Sequence, residues 1–201
     1  MPWVVLSVVG AAVVLLVVFA LRFEAERREV FRQAWRDFAT SRGFVWKPAS
    51  GPWYRRTSDA IDGNVEGVPV RVDTFVVSTG KSHVTYTRVV SRPGNDVPAK
   101  ITVSRRHFLT GFGESLGMKT VRTGDPSFDE RMVVRARDPE AVRRVIDASV
   151  RARILELRPS VTVRIQDQTA KITWRGAEKD PRTLDAACRL AAAISRAGAH
   201  A

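Results

Sequence analysis

Apolar residues are spaced in three ways along the chain of 201 residues, and each spacing predicts a different element. From Pro2 to Leu21, "PWVVLSVVGAAVVLLVVFAL", no charge occurs. At ~1.5 Å per residue such a helix reaches ~30 Å, the thickness of a hydrocarbon core. A helix packed in a globular core keeps a polar stripe, and this run has none. The next stretch, "EAERREVFRQAWRDFATSRG", places Phe31, Ala34, Trp35 and Phe38 at helical spacing among charges. It predicts an amphipathic helix with Gly43 as its stop, its apolar stripe docked on the domain.

Strict alternation then takes over. "DAIDGNVEGVPVRVDTFVV" predicts two strands joined by a turn at Glu66-Gly67, with Val68, Val70 and Val72 on one face. "SHVTYTRVV" predicts a third strand, "STGK" the hairpin loop before it, and "AKITV" a fourth. Two prolines with Gly94 and Asn95 make residues 92–98 a loop. Short adjacent strands of this kind predict an antiparallel sheet.

The last third mixes both periods. "FDERMVVRAR" reads as a strand, and a helix runs from Asp138-Pro139-Glu140 to about Leu157 with Val142, Val145, Ile146, Val150 and Ile154 inward. "VTVRIQ" and "TAKITW" alternate around a turn at Asp167. A final helix opens at Asp180-Pro181, carries Leu184, Ala187, Cys188, Ala191 and Ile194 as one stripe, and ends at Gly198. An Asp side chain accepts from free helix N–H groups, and Pro in the first turn loses no bond. Asp138-Pro139 and Asp180-Pro181 therefore read as helix starts, and Asp125-Pro126, ahead of a strand, as a turn. The fold class expected is α+β: an N-terminal transmembrane helix over 1–22, a juxtamembrane amphipathic helix over 23–43, and one domain over 44–201. In that domain an antiparallel sheet is covered by helices, with a helix–hairpin–helix at 138–198.

Flanking charge sets an orientation for the expected span. Arg22, Arg27, Arg28, Arg32 and Arg36 follow it and only Met1 precedes it, which places the C-terminal domain in the cytoplasm, anchored single-pass in the inner or cytoplasmic membrane. Trp3 would be an interfacial aromatic. A cleaved signal peptide ending at Val18-Phe19-Ala20 is the competing reading, against which stand the missing basic n-region and the length of the run. The net charge of +12 suits anionic lipid or nucleic acid. The arginines alternate with apolar residues, however, and the composition of a GC-rich genome accounts for them as well. One cysteine, Cys188, excludes an internal disulfide.

The motifs that would carry chemistry are incomplete. "STGKS" lacks the first glycine of a phosphate-binding loop, where Phe75 stands, and has no helix after it. "LTGFGESLG" has Leu116 where a dinucleotide fingerprint has its third glycine. Asp125, Asp129 and Glu130 could supply three oxygens to a metal, with no EF-hand spacing and no histidine to join them. His83, His107 and His200 stand in no catalytic motif, and Cys188 reads as a buried apolar residue. No catalytic, cofactor or metal residue is assigned. The remaining candidate is an anion site at Arg105, Arg106, Gly111, Gly113, Lys119 and Arg122, where backbone N–H groups and cations surround a loop whose one acid is Glu114.

The segments "FATSRGFVW", "GNVEGVPVRV" and "GDPSFDERMVVRARDPEAV" together resemble an uncharacterised family of bacterial single-span membrane-anchored proteins, with Met132 where such sequences usually carry Phe. The resemblance implies the same architecture and membrane location, and structural roles for Phe128, Val134 and Asp138. The function expected is a non-enzymatic interaction or scaffolding protein on the lipid bilayer with an unidentified protein partner. The alternative is a module for anionic lipid, or less favourably nucleic acid, using residues 100–122 and the arginines after the apolar run. An enzyme is the third and weakest reading.

Overall fold

The computed structural model describes residues 2–51, 57–80, 82–92, 100–106, 117–157, 160–166 and 169–199, with backbone alone for 2–14, 79, 198 and 199. The elements run α1 (Pro2–Arg42), β1 (Val45–Lys47), β2 (Ala60–Val65), β3 (Val68–Thr79), β4 (Ser82–Ser91), β5 (Ile101–Arg105), β6 (Lys119–Val121), α2 (Pro126–Arg131), β7 (Met132–Ala136), α3 (Pro139–Val145), α4 (Ala148–Glu156), β8 (Thr162–Gln166), β9 (Thr169–Arg175) and α5 (Pro181–Ala199). The turn expected at Asp167, the loop around Gly94 and Asn95, His107, Gly111, Gly113, Glu114, His200 and the Trp3 side chain lie outside the described residues or side chains.

The nine strands form one sheet in the order β1-β2-β3-β4-β9-β8-β5-β7-β6. Neighbouring strands are antiparallel throughout. The β8–β9 hairpin, last in the sequence, enters the middle and joins the β1–β4 half to the half built from β5, β6 and β7. Period-two alternation then sorts the side chains. Val70, Val72, Val89, Ile101, Val103, Val134, Val163, Ile165, Ile172 and Trp174 face the core. On that inner face α5 lies across β2, β3, β4 and β9, α3 and α4 pack on α5, and the end of α1 rests on β1 and β2.

Two turns show why the local sequence suffices at some places. Between Val65 and Val68 the chain reverses in two residues, Glu66 and Gly67, both with positive φ (52° and 85°). That is the twist a two-residue hairpin needs, and Asn64 Oδ1 accepts from Gly67 N at 2.8 Å. The hairpin at "STGK" likewise closes on the Thr79–Ser82 pair.

Several expectations are corrected. α1 is one uninterrupted helix, and among the described residues no helix is long and apolar enough to cross a membrane. The transmembrane helix, the single-pass membrane placement and the cytoplasmic orientation drawn from it are therefore not supported. "FDERMVVRAR" is not one strand: Asp125 caps a short helix, α2, and the strand starts at Met132. The helix expected from Asp138 to Leu157 is two helices, because Asp147 accepts from Val150 N at 2.7 Å and starts α4 afresh. β1 was not foreseen, being only three residues long.

A buried polar knot ties the layers together. Trp35 Nε1 donates to Glu178 O (2.8 Å), and Trp174 Nε1 to Glu178 Oε2 (3.2 Å). The other carboxylate oxygen accepts from Lys179 N and Asp180 N, both at 3.0 Å. Glu178 N donates to Thr87 Oγ1, which donates to Gly176 O. In this way α1, β4, β9 and the start of α5 meet around one residue whose carboxylate oxygens both accept hydrogen bonds, which is the condition for a buried charge to be tolerated.

Candidate functional site

Of the carboxylates between Thr123 and Ile146, Asp125 and Asp138 cap helices. Asp125 accepts from Ser127 Oγ (2.8 Å), Ser127 N (3.1 Å) and Phe128 N (3.2 Å). The Ser127 hydroxyl, then the Phe128 N–H, hold its carboxyl below the ordinary range. Arg151 Nε stands 3.4 Å from its Oδ2. Asp129 accepts from Thr123 N and Thr123 Oγ1, and Asp138 accepts from Glu140 N at 2.9 Å. Phe128 and Val134 are buried in the core. Among the described residues no three of His, Cys, Asp and Glu are grouped to hold a metal.

Beside α2 the sheet edge leaves a cleft of about 590 Å³ between β6, β7 and the α2 segment. Its volume is within the ~300–1,000 Å³ of small-ligand pockets. Arg106, Arg122 and Arg135 line it together with Val121, Met132, Asp129 and Glu130. Arg106 Nη2 donates to Asp129 O at 2.8 Å, which fixes that guanidinium against α2. Of the candidate anion residues, Arg106 and Arg122 come together here. Arg105, opposite Met132 at the end of β5, and Lys119, on edge strand β6, do not line the cleft. Arg135 was missed: in sequence it is one arginine among many, and only strand pairing with Thr120 brings it to this edge. The lining thus combines guanidinium groups with apolar side chains and two carboxylates.

The other residues singled out have ordinary places. Cys188 is buried on α5, and burial, then the Asp185 charge, push its thiol up to about 12. His83 is exposed near the β3–β4 turn. A second arrangement was not anticipated on the sheet's outer face. Asp73, 5% exposed, accepts from Arg88 Nε (2.8 Å) and Nη2 (2.6 Å) in a bidentate pair that holds Arg88 above its ordinary pKa. The Arg88 guanidinium lies over the Phe75 ring, which stacks on Tyr86.

No family model matches the chain, and no curated protein matches it. Among solved structures, the crystal structure of the mycobacterial trehalose monomycolate transport factor A, TtfA, is similar, with a TM-score of 0.58 and 11% identity over 85% of this chain and 94% of that one. At that identity the likeness is one of fold.

Proposed function

We propose that the chain is a non-enzymatic interaction factor with a role related to lipid transport. The observation that carries this reading is the extent of the likeness to the trehalose monomycolate transport factor, which takes in 94% of that chain and so is not confined to a shared fragment. Three features of the chain support it. The Cys188 thiol is too buried and too weakly acidic to act as a nucleophile. The carboxylates of Asp125, Asp138 and Asp147 are engaged as helix caps. The cleft beside α2 brings guanidinium groups and apolar side chains together, the chemistry of a lipid's head and neck.

Deleting the gene in its host and following pulse-labelled lipids tests the role. One lipid class should be delayed in reaching its final location, and expression of the chain should restore the normal rate. Lipid distribution that is unchanged in the deletion strain would overturn the lipid-related reading. Turnover of a lipid by the purified chain would overturn the non-enzymatic one.

A further inference from the structure

The two halves of the sheet treat charge differently. In β1–β4 the charges of the outer face pair among themselves: Lys47 and Arg71 with Asp62, and Arg71 and Arg88 with Asp73. The strands β9, β8, β5, β7 and β6 hold six Lys or Arg and no Asp or Glu. Register puts Lys171, Arg175, Arg164 and Arg135 of these on the outer face, between Thr162, Thr173, Thr102 and Thr120. Among the described residues no carboxylate is paired with Lys171 or Arg175. Among the described residues no helix lies on this face, since α1, α3, α4 and α5 occupy the other.

The β3–β4 hairpin extends this face. β2 pairs with β3 only as far as Asp73, and β9 pairs with β4 only from Tyr86. One further bond, Gly176 N donating to Thr85 O at 2.8 Å, ends the support. Beyond it Val76–Thr79 and Ser82–Val84 form a ribbon projecting about 13 Å at ~3.3 Å per residue. Val77, 39% exposed, pairs with Val84 on the outer side. Behind them on the same side come the stacked Phe75 and Tyr86, then Arg88, with Arg175 beside Tyr86. One surface thus grades from an apolar tip through aromatics to cations.

We propose that the outer sheet face, with the β3–β4 ribbon at its leading end, docks on an anionic lipid surface. Val77 and Val84 enter the head-group boundary, Phe75 and Tyr86 lie at its level, and Lys171 and Arg175 meet lipid phosphates. The contact is made by side chains across a face, so no backbone edge is forced into hydrocarbon. Nucleic acid fits less well. The valine pair finds no apolar partner on a phosphate–sugar surface, and the Phe75 ring is already engaged by Tyr86 and Arg88. This inference deepens the lipid-related reading and rests on it. The assay below reports on the ribbon, and the pulse-label assay on the role, so either can fail alone.

The full chain carrying Val77→Cys, with an environment-sensitive fluorophore on that thiol, is the test. Cys188 is buried and stays unlabelled. Vesicles of phosphatidylcholine with one part in three phosphatidylglycerol should shift the probe to the blue, and phosphatidylcholine alone should not. A probe at Arg182→Cys, on the helix side, should stay silent. Each cation near an anionic surface is worth about fivefold in binding, so Lys171→Gln with Arg175→Gln should weaken the Val77 response about 25-fold, as should high salt. A silent Val77 probe on vesicles that sediment the protein would overturn the proposal, as would equal responses to both vesicle types. So would a response to single-stranded oligonucleotide in place of vesicles.

Discussion

Asp125 illustrates how much a single side chain contributes without any catalytic duty. Its carboxylate accepts three hydrogen bonds at the start of α2 and stands beside Arg151. The folded carboxyl is more acidic than the ordinary 3.8. Its stabilising contribution is therefore complete above that value and fades as pH falls below it towards the lowered folded pKa. Asp125→Asn keeps a capping side chain but removes the titration. The variant should lose less stability than the parent between about pH 5 and pH 2, measured as urea midpoints. Identical slopes in parent and variant would show that the cap carries no charge-dependent stability. The Asp-Pro pairs at 138 and 180 were legible as caps from residue type alone. Asp125 looked like a turn because the helix it starts is only six residues long and leaves no periodicity to read.

Between elements, close approach decides what a short residue is for. Gly63 on β2 has the Phe44 ring directly over its Cα, and a Cβ there would lie inside the ring's van der Waals surface. Phe44 is in turn held by Phe38 of α1 in an edge-on contact at 5.9 Å and by its N–H to Ala39 O. Gly63→Ala should cost about 1–3 kcal/mol in urea unfolding. Combined with Phe44→Ala, the cost should fall well short of the sum of the two single changes. Additive costs would show that the two residues do not meet. The sequence placed Gly63 in a strand and Gly43 at a helix end. The contact between the two segments depends on the angle at which α1 meets the sheet, which no local pattern encodes.

At the scale of the molecule, the second half of α1 belongs to the domain. Trp35, Phe38 and Ala39 are in the same buried cluster as Ile61, Trp174 and Leu184, and Trp35 reaches Glu178 across 143 residues of sequence. Removing two such aromatics costs about 3–5 kcal/mol each, against a total stability of about 5–15 kcal/mol for a domain. A chain beginning at residue 44 should therefore lose its cooperative urea transition, followed by circular dichroism. A chain beginning at residue 23 should keep it. Cooperative unfolding of the shorter chain would show that α1 is an appendage.

Local chemistry alone determined the α+β class, the helix starts at Asp138 and Asp180, the turn at Glu66-Gly67 and the apolar face of α5, because each depends on neighbours within about four residues. The extent of α1 and its lack of a membrane-long apolar segment among the described residues came from the structure, as did the split of one helix into α3 and α4. Tertiary structure also decided the insertion of β8–β9 between β4 and β5. That pairing gathers arginines and lysines, scattered from residue 88 to residue 175 and each indistinguishable in sequence from its compositional background, onto one face. Charge becomes a surface only when strand order and register set which residues are neighbours.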